Sequence, residues 1–156
     1  MYPSLKTVIA LSSAVLIALH PASAIQAAPA RTALAKNHSF ERFFDAFRTA
    51  VLNNDRQKVA DMAILPFRDF SGTTIDRSAR THTEFLARYD AIFTSGVIAA
   101  IRDHKVRAFQ PGGDDGEAPG PIAKGEYLLD VEDWSAQIVF APKGNSYGMT
   151  RIPFYS

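Results

Sequence analysis

Glu126 and Asp130, in the run "GEYLLDV", are the carboxylates whose spacing is best suited to chemistry. On an alternating strand they share one face with Leu128, opposite Tyr127 and Leu129. If that polar face lined a partly dry pocket, Asp130 would be a candidate general base. Facing water, it would do nothing special. Tyr89, Asp90 and Trp134 are further pocket candidates. Tyr89 falls on the apolar side of a helical pattern, with a hydroxyl that needs a partner. Trp134 follows two acids at a strand junction, where it would rim a pocket or close the core.

Other chemistries find little support. His38, His82 and His104 show neither i, i+4 nor H-x-H spacing, so no metal-ligand pattern is present and no metal is expected. The acids Asp114, Asp115 and Glu117 lie in "PGGDDGEAPGP", a turn-rich loop without the alternating ligands of a calcium loop. The serines in "SGTT", "TSGV" and "NSYG" do not form a nucleophile elbow, and no glycine run has a phosphate-binding form, so no cofactor is expected. There is no cysteine, which removes thiol chemistry, disulfides and cysteine-bound zinc.

The N-terminus reads as a secretory signal. Lys6 precedes the apolar run "TVIALSSAVLIAL", and the small residues of "PASA" offer a cleavage point after Ala24. The run is short for a membrane span, which takes about 20 apolar residues. Cleavage would leave 16 basic and 16 acidic residues. A neutral chain lacks the basic footprint that nucleic acid requires, and it has no polybasic patch for a membrane surface. The expected location is the periplasm or the exterior. Residues 1–24 are then the signal, 25–38 a flexible leader, and 39–156 one domain whose core must hold without covalent staples.

The elements that must position any site follow from periodicity. Ser39 is a candidate helix cap, followed by Phe40, Phe43, Phe44, Phe47 and Val51 on one helical face. "NND" breaks this helix and starts a second, which Pro66 is expected to end. Thr81 and Glu84 have capping-box spacing ahead of Phe85, Leu86, Tyr89, Ile92 and Phe93, with Gly96 as the expected stop. Strand-like runs follow at "HKVRAFQ", "GEYLLDV", "SAQIVFA" and "YGMTRIPF", the last two joined by the turn "PKGN". The expected class is α+β, with N-terminal helices packed on a curved antiparallel sheet.

This order of motifs resembles the NTF2-like, or cystatin-like, superfamily, and within it small exported bacterial proteins. The resemblance rests on the Phe-rich helix through "LPF", on "THTEFLARYDAIFTSGVIAAI", and on "GPIAKGEYLLDV". It spans residues 39–154. It implies a cone whose open end often holds a ligand, and dimerisation through the sheet. It also implies either a non-catalytic module for a small apolar ligand or another exported protein, or a metal-free isomerase or dehydratase. No aspartate–tyrosine set carries over from the isomerase members, which favours the binding module. A periplasmic inhibitor or immunity-type role fits export and size as well. A ligand would sit between the sheet and the helix face that carries Phe44 and Phe47.

Overall fold

The computed structural model describes residues 27–109 and 122–154. The signal segment 1–24 and the acidic loop 111–121 lie outside the described residues. Helix α1 spans Ala27–Leu52 and α2 spans Arg56–Asp61. Strand β1 spans Ala63–Asp69. Three short helices follow, α3 (His82–Ala87), α4 (Tyr89–Ile92) and α5 (Ser95–Arg102). Strands β2 (Val106–Ala108), β3 (Tyr127–Leu129), β4 (Ile138–Lys143) and β5 (Ser146–Ile152) complete the chain, with a 3-10 turn at Trp134–Ala136.

The class is α+β: helices pack on a curled, unclosed five-stranded sheet in the order β1-β5-β4-β3-β2. The sheet is mixed rather than wholly antiparallel, because β1 runs parallel to β5. The helical crossover between β1 and β2 makes that arrangement accessible, whereas hairpins join only antiparallel neighbours. Between β4 and β5 the link is a two-residue turn. Gly144 takes φ +60° there, which glycine adopts without a Cβ penalty.

The phenylalanine face organises the interior. Phe40, Phe43, Phe44, Phe47 and Val51 are all buried. Phe140, on the inward face of β4, meets four of these rings edge-on, at centroid distances of 5.9 Å to Phe40, 5.8 Å to Phe43, 5.7 Å to Phe44 and 5.4 Å to Phe47. Edge-to-face geometry of this kind sets the positive ring edge against a negative ring face. Phe40 also stacks flat on Tyr127 at 3.5 Å. The space between α1 and the sheet is therefore occupied by side chains. A smaller apolar cluster of Ile122, Leu128 and Val139, with Phe109 against it, covers part of the opposite sheet face.

Several boundaries differ from expectation. Helix α1 begins at Ala27, so Ser39 lies inside it and residues 27–38 of the expected leader are helical. Alanine-rich sequence favours helix, and Pro29 falls in the first turn, where proline is tolerated. The Ser39 hydroxyl instead donates to the Asn145 carbonyl at 2.9 Å. Asp55 caps α2 as "NND" suggests, accepting from the Lys58 N–H. That helix ends at Asp61, and Pro66 sits in edge strand β1 near a register shift, where no ladder donor is lost. Gly96 does not stop a helix. It lies in the first turn of α5, which Thr94 caps by accepting from the Val97 N–H. Thr81 caps α3 as expected, while the Glu84 carboxylate accepts from the Arg80 N–H. Phe154, at the end of the strand-like run "YGMTRIPF", lies beyond β5 and is exposed.

The loop after β1 is held by a buried ion pair. Arg77 Nε donates to Asp69 Oδ2 at 2.7 Å, with side-chain exposures of 7% and 4%. Ser71 and Thr73 hydroxyls accept from the same guanidinium. Phe67 and Ala79 exchange backbone hydrogen bonds at 2.8 and 2.9 Å, closing the loop on β1. Burial works against the charged Asp69 carboxylate. The bonds from Arg77 and Ser71 outweigh it and hold the carboxyl below its usual range.

Two outcomes follow. Phe140→Ala should cost about 3–5 kcal/mol in urea unfolding, because four rings lose their common partner. Asp69→Asn should cost about 3–5 kcal/mol by leaving Arg77 buried without a counter-charge. Since the folded-state carboxyl is depressed, its stabilisation is complete above the unfolded value of about 4 and is lost as pH falls through the lower folded value. Denaturation midpoints measured down the acid limb should show that loss in the wild type and a flatter limb in Asp69→Asn.

Candidate functional site

The recess with the most coherent lining opens between α1, the end of α2 and the β4–β5 hairpin. Its volume is about 520 Å³, inside the range of roughly 300–1,000 Å³ common for ligand pockets. Phe43, Ala46, Met62 and Tyr147 form an apolar floor. Arg42, Asp61, Lys143 and the polar side chains of Ser39, Asn145 and Ser146 form the rim.

Local structure explains each position. Arg42, Phe43 and Ala46 fall at i, i+1 and i+4 of α1, so the helix turns its apolar stripe inward at Phe43 and leaves Arg42 at the edge. Gly148 lets the start of β1 lie close against β5. A Cβ there would come within 2.8 Å of the Met62 carbonyl, and that carbonyl accepts from the Met149 N–H at 3.1 Å. Lys143 Nζ donates to the Ala63 carbonyl at 3.1 Å, tying the hairpin to β1. Burial raises the Tyr147 hydroxyl above its usual range, so it stays protonated and able to donate. Among the described residues, the Arg42 side chain makes no hydrogen bond or ion pair.

The residues singled out in the sequence do not converge on this recess. Phe44 and Phe47 are fully buried among other rings and both meet Phe140 of β4 edge-on, so no ligand space separates them from that strand. Tyr89 is core: it packs on Phe93 at 4.5 Å, and Arg56 lies 4.7 Å from its ring centroid. Desolvation raises its hydroxyl above the usual range, partly offset by Arg56. Asp90 makes a two-pronged pair with Arg56, at 2.7 and 3.0 Å, that joins α4 to α2 at the surface. Trp134 is 50% exposed on the 3-10 turn.

Glu126 lies on the sheet face that points away from the helices. It pairs with Arg151 at 2.6 Å. Burial opposes its ionisation, but the Arg151 pair and the Ala123 N–H hold its carboxyl below the usual range. That partner appears because an extra residue, Thr150, separates Met149 from Arg151 in the pairing with β4, turning Arg151 outward opposite Val139. Asp130 follows the end of β3 and is exposed, accepting from the Gln137 side-chain amide at 3.1 Å. It borders two recesses of about 330 and 300 Å³ shared with Lys105 and Glu132. It is not enclosed in a dry pocket, the condition its role as a base required.

His38, His82 and His104 remain separate. His38 and His82 are exposed, and His104 sits 3.2 Å from Glu41 with its ring 4.6 Å from Phe44. No group of side chains among the described residues has the makings of a metal site. No helix among them is long and apolar enough to cross a membrane. Set against known proteins, the chain matches no family model, no curated protein and no solved structure.

Sequence reasoning missed Arg42, Met62, Lys143 and Tyr147. Only the Gly in "SYGM" signalled a close backbone approach there, since glycine in a strand marks such sites. The two carboxylates of "GEYLLDV" should separate on substitution. Glu126→Gln should lose about 1–3 kcal/mol by weakening a charged, partly buried hydrogen-bonded pair, whereas Asp130→Asn should stay within about 0.5 kcal/mol as a surface change. Parallel urea titrations at neutral pH check both.

Proposed function

We propose that the mature chain is an exported, non-catalytic binding module that holds its ligand in the cleft between α1 and the β4–β5 hairpin. One observation carries this reading: the helix-to-sheet interior is filled by Phe140 and its four partner rings, while the cleft keeps apolar side chains at its base and donors at its rim. Ligand sites combine an apolar lining with a few convergent polar groups, and this recess has that composition.

The same observation bears on the NTF2-like resemblance. Helices ahead of and over a curled sheet agree with that superfamily's general plan, and we keep the resemblance as part of the proposal. The ligand is placed at the flank of the helix and not inside a cone. An isomerase or dehydratase reading would need a carboxylate turned into an apolar recess. Asp130 is exposed and Glu126 is committed to Arg151, so the binding reading is preferred.

Ala46→Phe tests it. The new ring would fill the cleft from a half-buried helix position, at a helix-propensity cost of about 0.5 kcal/mol. Native mass spectrometry of the protein taken from its own host should show a bound mass on the wild type and on Asp130→Asn, and a bare chain for Ala46→Phe. A bound mass that survives Ala46→Phe unchanged would remove the cleft from the proposal.

A further inference from the structure

Resting on that reading, we infer that the cleft selects a small amphipathic anion, a short-chain organic carboxylate, through Arg42 and Lys143. The rim carries two cations and one acid, Asp61, whose Oδ1 lies 3.4 Å from the Gln57 amide. Lys143 spends one donor on the Ala63 carbonyl and retains two N–H groups. Arg42, exposed and without an ion pair among the described residues, presents its whole guanidinium fork. A guanidinium fork matches a carboxylate with two parallel hydrogen bonds, and a nearby ammonium adds a point charge. The Ser146 hydroxyl supplies a further neutral donor.

The apolar part of the ligand has less room. Phe43 and Tyr147 are almost covered, so Ala46 and Met62 supply most of the accessible floor. Met62 is unbranched and rotatable, which suits an alkyl chain of variable shape. A floor this small fits a short tail and not a two-chain lipid. The recesses around Asp130 differ in charge. In one, Lys105 and Arg107 are balanced by Asp130 and Glu132, and in the other Lys105 stands against Asp130, Glu132 and Asp133, so neither carries the net positive charge of the cleft rim.

Calorimetric titration with octanoate, octylammonium and octyl glucoside holds the tail constant and changes only the head. The expected result is octanoate binding at least tenfold tighter than the other two. It should weaken tenfold or more in Arg42→Ala, and also when salt rises to about 1 M, where exposed charges are screened beyond about 3 Å. Arg42 is exposed, so Arg42→Ala should keep the wild-type unfolding midpoint. Octylammonium or octyl glucoside binding as well as octanoate, with Ala46→Phe blocking all three, would overturn the anion preference and leave the binding module standing. Octanoate binding unchanged by Arg42→Ala would overturn it too. A polypeptide that co-purifies with the wild type and not with Ala46→Phe, with no affinity for octanoate, would replace the small anion by a protein partner. If no probe binds and no cargo responds to Ala46→Phe, both readings fall.

Discussion

One ring sets the spacing of the whole domain. Phe140 stands on β4, the middle strand of five, and four phenylalanines of α1 close on it edge-first. Each such pair adds about 0.5–1.5 kcal/mol beyond the area it buries. The geometry matters as much as the energy. Edge-on contacts at 5.4 to 5.9 Å fix how high the helix rides above the sheet and how far it can roll. With no cysteine in the chain, this packing must hold the domain without disulfide links.

The position of α1 then decides where a recess can form. With the interior filled, the open space falls along the flank of the helix, where Arg42 and Ala46 face the hairpin across Met62. Two backbone details shape that flank. Gly148 admits the Met62 carbonyl at close range, and the short Gly144 turn brings Lys143 and Ser146 back beside the helix. Ser39, inside the run of α1 instead of capping it, latches the helix to the same hairpin through Asn145.

Two charged pairs meet near the end of β5, where Arg151 and Ile152 align with Arg68 and Asp69 of β1. Asp69–Arg77 closes the loop after β1 in a nearly dry setting, where an ion pair contributes rigidity of register more than net stability. Glu126–Arg151 lies across the outer sheet face, over the small cluster of Leu128 and Val139. Neither is arranged around an open space, which sets both apart from the rim cations of the cleft.

The sequence alone determined the periodic features. Helical spacing placed Phe40, Phe43, Phe44, Phe47 and Val51 on one buried face, and the strand-like run "SAQIVFA" is the strand that carries the buried Ile138 and Phe140. The caps at Asp55 and Thr81 and the hairpin turn were also legible, because each depends on neighbours within a few residues. The parallel pairing of β1 with β5 was not legible, nor was the outward turn of Arg151 caused by one extra residue in β5. The assignment of Tyr89 and Phe44 to core instead of pocket also needed the fold. Periodicity shows which side of an element is apolar, but it cannot show whether the facing element fills the space or leaves it open. The cleft joins Arg42 to Lys143 across a hundred residues of chain, on the order of 300 Å if fully extended. Only the packing of α1 on β4 and β5 brings them to one rim.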